Sequence, residues 1–326
     1  MATVGVIANP ASGRDIRRLV AHGSVFSNNE KVNIVRRLLL GLDALGVEQV
    51  IGMPDCFHIG RRALEGLELR LRYEELEMYV HDSGHDSQRA AGALRERGAG
   101  CIVTLGGDGT NRAVAKACED VPLVAVSTGT NNVFPVMIEG TTAGLAAGVV
   151  ALGMVDVDEV TYRARRLEIE VEGQPADIAL VDAAVVSDTY VGARAIWEPT
   201  RLRHIVLARA GLHYIGLSSL GGAFYPDGLP PGQALHLELG PGGETVLAPI
   251  APGLIHQVAV RRQQLLPFGQ RLELELANCT IALDGERELE IGRPKRVAFS
   301  ASEWGPRIVD VPRALALAAR QGVFRT

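Results

Sequence analysis

The sequence predicts an α/β half followed by an all-β half, with the chain crossing back at its end, and three observations predict it. From residue 1 to about 155, strand-like apolar runs alternate with segments of helical spacing, the grammar of a doubly wound parallel sheet. Beyond that point "RRLEIEVEG", "ALHLELG" and "QRLELELANCTIAL" alternate apolar and polar residues between Gly, Pro and Asp-Gly turns, as an antiparallel sheet with one buried face requires. The tail "VPRALALAARQG" returns to helical spacing, and the α/β half offers it a packing surface.

Each element has its own warrant. "TVGVIA" reads as the opening strand, and a long polar loop leads to "SNNE", a capping box in which Ser27 accepts from the Glu30 amide and Glu30 reaches back. Val32, Val35, Leu38, Leu39, Leu42 and Leu45 then recur at helical spacing until Gly46 stops the helix. "VEQVIGM" is a second strand, and "SGHD" a second capping box opening a helix through Ala90, Ala93 and Leu94 to Gly98. "CIVTL" and "VPLVAVS" are near-continuous apolar runs, the mark of strands covered on both faces. "TTAGLAAGVVALG" closes the half as a small-residue helix, with Gly144 and Gly148 expected at a close helix–sheet contact. The expected boundaries are 1–155 with 306–326 for the α/β domain and 156–305 for the β domain.

Composition narrows the function. A length of 326 residues suggests two domains rather than one, and 47% hydrophobic content can bury a full core. A formal charge of −5 argues against a nucleic-acid partner, which would demand a basic face, and supplies no polybasic membrane patch. No apolar run approaches the roughly 18 residues of a membrane span, and no signal peptide is expected before the first strand. The four cysteines (Cys56, Cys101, Cys118, Cys279) lack zinc spacing and read as buried thiols of a cytoplasmic protein.

The chemistry concentrates in "IVTLGGDGTNRAVAKA", residues 102–117, where a strand runs into Gly-Gly-Asp-Gly-Thr and then a helix. Phosphate sites need free backbone amides, room for close approach and a helix N-terminus. Gly106, Gly107 and Gly109 supply the room, and Thr110 can cap the helix or touch a phosphate oxygen. The turn is neither a Walker loop nor a complete G-x-G-x-x-G, because Arg112 stands at the last position. None of this requires Asp108. A carboxylate beside phosphates suits a general base toward a substrate hydroxyl, or an outer ligand of Mg²⁺. Two neighbours bear on the same edge: the first strand ends in "NPASG" (Asn9, Pro10, Ser12, Gly13), and the strand after the glycine turn ends in "STGTNN", which brings Thr128, Gly129, Thr130, Asn131 and Asn132. In a doubly wound sheet such strand ends share one edge, where ligands bind, so the three loops are expected to converge on one crevice.

Other polar residues have simpler readings. Arg14 and Arg17 follow "NPASG" closely enough to meet a phosphate or to form a solvated face, and His22 reads as a solvated loop histidine. In "PDCFHIG", Asp55 reads as a helix cap beside His58. Arg261 and Arg262 adjoin on a strand, so one of them is expected to face inward or sideways. Asp284-Gly285 reads as a hairpin turn.

"GGDGT" with "NPASG" before it and "TGTNN" after it resembles the superfamily of NAD kinases and diacylglycerol or sphingosine kinases. The later segments "LAPIAPGLIHQVAVRRQQLLP" and "IALDGERELEIG" are similar to the NAD kinase branch. Within that branch, the extended loop "RLVAHGSVFSNNEK" looks most like the group called acetoin catabolism protein X. The resemblance implies a Rossmann-like nucleotide-binding domain and a C-terminal β-sandwich, with ATP and Mg²⁺ as cofactors and NAD or a related compound as phosphate acceptor. It also implies small-molecule nucleotide substrates rather than nucleic acid or membrane, and a homo-oligomer, dimer or tetramer. Asp108 would be the base, while Asn9, Ser12, Gly13, Gly106, Gly107, Gly109, Thr110, Thr128, Gly129, Thr130, Asn131 and Asn132 would form the nucleotide site, with no dedicated metal ligand. Two departures bear on the acceptor. The family's Asn-acid pair falls on "ALVDAAVV", where Asp182 keeps the acid and Val181 replaces the amide; its nucleotide-contacting Thr-Gly-Ser-Thr-Ala-Tyr falls on "GLSSLGGAFY", with Ser218 and Ser219. A lost polar grip of this kind removes about 1–3 kcal/mol. The alternatives are therefore a kinase with a different hydroxyl-bearing acceptor, and a non-catalytic nucleotide-binding accessory protein of acetoin catabolism.

Overall fold

The computed structural model describes residues 1–13, 26–129, 131–187 and 201–325. In the first half, β1 (Thr3–Ala8), α1 (Asn28–Leu45), β2 (Gln49–Gly52), α2 (Ile59–Leu64), β3 (Arg72–Glu75), α3 (Gly84–Glu96), β4 (Cys101–Gly106), α4 (Asp108–Ala115), β5 (Leu123–Ser127) and α5 (Gly140–Ala151) alternate as expected. The five strands pair in parallel in the order β3-β2-β1-β4-β5, with every residue of β1 and β4 buried. β3 escapes a sequence reading because its Arg-Tyr-Glu-Glu lies on the sheet edge, where polar side chains stay partly solvated.

Local signals act where expected, with differences. Ser27 Oγ accepts from the Glu30 amide at 3.2 Å, but Glu30 turns its carboxylate to Arg37 (3.0 Å). Asp86 completes the second capping box by accepting from the Ser83 amide at 3.1 Å, and Asp55 caps α2 through the Phe57 and Ile59 amides. Gly144 lies against a helix rather than the sheet: a Cβ there would stand 2.3 Å from the Leu38 carbonyl of α1, and one at Gly148 would stand 2.7 Å from the Leu45 side chain. Small residues let α1 and α5 approach backbone to backbone. Among the cysteines, Cys101, Cys118 and Cys279 are buried, whereas Cys56 is exposed, so the expectation of four buried thiols fails there.

After the short helix α6 (Val157–Val160), β6 (Thr161–Arg163) still belongs to the first sheet, past the boundary expected at 155. The antiparallel part follows: β7 (Arg166–Val171), β8 (Gln174–Ala179), β9 (Asp182–Val186), β10 (Leu202–Leu207), α7 (Ser218–Phe224), β11 (Gln233–Ala251), β12 (Leu254–Pro267), β13 (Leu272–Leu276), β14 (Cys279–Leu283), β15 (Glu286–Ile291) and β16 (Lys295–Ser302). These strands make a six-stranded sheet, β12-β11-β10-β9-β14-β15, and a four-stranded one, β13-β16-β7-β8. Leu167, Ile169 and Phe299 of the smaller sheet meet Val185, Val206 and Ile281 of the larger in one buried core. The outer face of the larger sheet is covered by Leu217 and Leu220, at the start of α7.

The chain then returns. β17 (Arg307–Val309) inserts between β5 and β6, and α8 (Val311–Arg320) buries Val311, Ala314 and Ala318 in the core shared by α1 and α5. Among the described residues no helix is long and apolar enough to cross a membrane.

Candidate functional site

β1 and β4 are neighbours at the point where the strand order reverses, so the loops leaving their C-terminal ends flank one crevice. Side chains lock these loops together. Asn9 Nδ2 donates to Thr110 Oγ1 at 2.8 Å, and the hydroxyls of Ser12 and Thr128 share a hydrogen bond of 2.9 Å. Asn132 Nδ2 donates to Ser127 Oγ at 2.8 Å and to the Gly129 carbonyl at 3.4 Å. At Gly107 the approach is close: a Cβ there would stand 2.8 Å from Asn132 Oδ1, so the Asn132 side chain would have to shift. Gly13 needs its freedom twice: its φ is +74°, and a Cβ would stand 2.6 Å from the Thr128 carbonyl. The structure thus brings Asn9, Ser12, Gly13, Gly106, Gly107, Gly109, Thr110, Thr128, Gly129 and Asn132 to one place. Thr130, Arg14, Arg17 and His22 lie outside the described residues.

Asp108 opens α4, and its carboxylate reaches the next loop. Both oxygens accept from the Val133 amide (3.0 and 3.1 Å), and Oδ1 also accepts from the Phe134 amide at 2.8 Å. This clamp was not legible in the glycine turn, because the donors lie 25 residues further on. Asp108, Asn131 and Val133 form one wall of a small cleft, and Asp182, Gly216, Leu217 and Gly285 line the other. Ser218 and Ser219 do not line it. Both are fully buried, and Ser219 Oγ is committed to the Gly216 carbonyl at 2.6 Å. Arg261 and Arg262 are both exposed on β12, so neither faces inward, and Arg261 turns sideways to pair with Glu238 of β11 at 3.3 Å.

Asp284-Gly285 is the hairpin turn expected, with φ of 52° and 80°, but the aspartate does more than turn the chain. Its carboxylate is wholly buried and accepts from the amides of Val181 (2.8 Å), Leu180 (3.0 Å) and Asp182 (3.3 Å), which fixes the strand that presents Asp182. Burial pushes this carboxyl up to about 6, against the pull of Arg112 and of the three amides. Arg112, one turn after Asp108 on the same helix, lies 3.7 Å from Asp284 and also pairs with Asp177 and Glu288. A buried arginine therefore ties the helix of the glycine turn to β8, β15 and the hairpin. Its position as the residue that breaks G-x-G-x-x-G was visible; its partners, 65 to 176 residues distant, were not. No local sequence signal points to Glu286, whose carboxylate lies over the glycine turn, 3.2 Å from where a Cβ on Gly109 would stand.

Chemically, the cleft sets the carboxylates of Asp108 and Asp182 beside the N-terminus of α4. Among the described residues no group of three or more His, Cys, Asp or Glu side chains stands ready to hold a metal. A hard cation here would draw its ligands mainly from phosphate oxygens and water.

Residues 4–154 match the family model of the ATP-NAD kinase N-terminal domain, and residues 165–303 match that of the acetoin catabolism protein X C-terminal domain. Acetoin catabolism protein X of Cupriavidus necator is 38% identical over 339 aligned positions, which span 99% of this chain and 94% of the relative. Yeast NADH kinase, solved in complex with NADH, superposes over 100% of this chain and 89% of its own with a TM-score of 0.53; at 12% identity the likeness is one of fold. A protein described as a diacylglycerol kinase from Bacillus anthracis covers 94% of this chain and 96% of its own at 12% identity, with a TM-score of 0.44.

Proposed function

This chain belongs to the acetoin catabolism protein X family, and from that premise we propose that it is an ATP-dependent phosphotransferase that phosphorylates a hydroxyl of NAD or a related acceptor. The observation that carries the reading is the set of three loops locked side by side at the reversal of strand order, with Asp108 at the head of α4 and Asp182 lining the same cleft. The loops at 9–13, 106–110 and 127–132 hold the nucleotide phosphates. Asp108 takes the proton of the acceptor hydroxyl as its oxygen attacks the γ-phosphorus; the bond from that phosphorus to the β–γ bridging oxygen breaks, and ADP leaves. Mg²⁺ carried with ATP would neutralise phosphate charge, and the carboxylate oxygens of Asp108 and Asp182 would hold it from the protein side beside phosphate oxygens and water. Asp182 faces the acceptor's hydroxyls, and Ser218 and Ser219 support that wall from behind.

One observation favours a second reading, a nucleotide-binding accessory protein without turnover. The Asp108 carboxylate accepts from two backbone amides, as a purely structural aspartate would. A coupled assay for NADP formation from NAD, ATP and Mg²⁺, run beside Asp108→Asn, decides between them. NADP formed by the wild type and lost in the variant supports the kinase. Equal rates in the two would sink the role of Asp108, and tight ADP binding with no turnover on any hydroxyl acceptor would favour the sensor.

A further inference from the structure

Position 31 holds a lysine in a chain that hardly uses one: Lys31, Lys116 and Lys295 stand against 30 arginines. Lys116 and Lys295 are exposed, whereas Lys31 is 0% exposed. It sits in the first turns of α1, and its side chain runs to the loop "NPASG". There Nζ donates to the carbonyls of Asn9 (2.7 Å), Ser12 (2.7 Å) and Pro10 (3.3 Å), and to Asn28 Oδ1 (3.0 Å). Three backbone carbonyls of one short loop thus point at the same spot. Their dipoles repel unless a compact positive charge lies between them, which is how oxygen ligands surround a monovalent cation. An ammonium is such a charge, with donors that rotate to suit. A guanidinium is a planar fork and cannot place its donors on four converging oxygens. That difference explains why this one buried position departs from the arginine habit of the chain.

The loop held by Lys31 is the one that Asn9 joins to Thr110 and Ser12 joins to Thr128. We propose that Lys31 is the built-in cation of the 9–13 loop: a positioning residue that draws the loop's carbonyls inward and so sets the loop for an anionic ligand at the crevice. The identity of that ligand as a nucleotide phosphate rests on the function proposed above; the role of Lys31 in shaping the loop does not.

The test uses the full chain, with ADP as the probe. Lys31→Arg keeps the charge and loses the fit, so ADP affinity falls by about tenfold or more. Lys31→Ala opens the cradle; its affinity and thermal midpoint fall and recover with ammonium or propylammonium, but not with tetramethylammonium, which has no N–H to donate. Wild-type behaviour in Lys31→Arg, or a loss in Lys31→Ala that ammonium leaves untouched, overturns the proposal. Should both variants misfold, the wild type decides: during reductive methylation Lys116 and Lys295 react while Lys31 resists, and equal rates at Lys31 and Lys295 overturn it. If the wild type does not bind ADP, the nucleotide reading fails, while methylation and the ammonium-dependent thermal midpoint still decide on Lys31.

Discussion

Replacing Arg112 with methionine removes a guanidinium that joins the helix of Asp108 to the hairpin of Asp284, and the structure sets the size of the loss. Of its three acidic partners, Asp177 keeps Lys116 at 2.6 Å, and Glu288, with a third of its side chain exposed, can rehydrate. Asp284 has no such recourse, being fully buried. Breaking a buried ion pair from one side costs about 3–5 kcal/mol, and the amides of Leu180, Val181 and Asp182 that remain on Asp284 place this case at the low end, about 3 kcal/mol. For a chain of this length that is a fall in melting temperature of roughly 4 °C. The loss also depends on pH. The folded-state carboxyl of Asp284 already lies at about 6, and without Arg112 it rises further. A raised carboxyl means that the folded chain keeps a proton the unfolded chain has released, so the stability from this group is present at low pH and lost as pH rises through the folded value. The deficit of Arg112→Met is therefore largest at pH 8 and smaller at pH 5. Urea unfolding of the wild type, Arg112→Met, Asp284→Asn and the double variant at both pH values measures it, and the double variant should lose much less than the sum of the singles. A deficit at pH 8 below about 1 kcal/mol, the worth of an exposed pair, would refute the reasoning, as would the same deficit at pH 5.

Burial, and then the neighbouring His204, push His236 down to about 4, with the two rings 3.1 Å apart between Nδ1 and Nε2 and Glu238 and Arg262 nearby. The unfolded chain therefore takes up a proton that the fold refuses, and about 3 kcal/mol present above pH 6.5 is lost as pH falls toward 4; His236→Gln should flatten that slope in a pH series of denaturant midpoints. Asp108→Asn keeps an oxygen for the Val133 and Phe134 amides, so it should retain ADP binding within about threefold while turnover falls by at least about a hundredfold, read by calorimetry and steady-state kinetics. Gly107→Ala places a methyl 2.8 Å from Asn132 Oδ1 and should weaken ADP binding with little change in the urea midpoint. Gly144→Val drives side-chain atoms into the Leu38 carbonyl, separates α1 from α5, and should cost about 1–3 kcal/mol of stability without touching the crevice.

Local chemistry determined a great deal of this protein before any contact was known. Period-two and helical spacing mark the two halves; Gly46, Ser83 with Asp86, and Asp55 end or begin helices through groups within a few residues of themselves. The glycine turn and its two companion loops were legible because a parallel sheet must deliver its strand ends to one edge. What only the tertiary structure decided depends on residues far apart in the chain. Whether Gly144 meets a sheet or a helix, which carboxylates surround Arg112, and which amides hold Asp108 and Asp284 are settled by packing, since each pair spans 25 to more than 100 residues. The same is true of Lys31. A lysine in an amphipathic helix reads as a solvated charge, and only the fold of the 9–13 loop onto α1 sets it among the oxygens of Asn9, Pro10, Ser12 and Asn28. Buried polar groups must find partners wherever the fold brings them, and the sequence near such a group carries no record of which partner that will be.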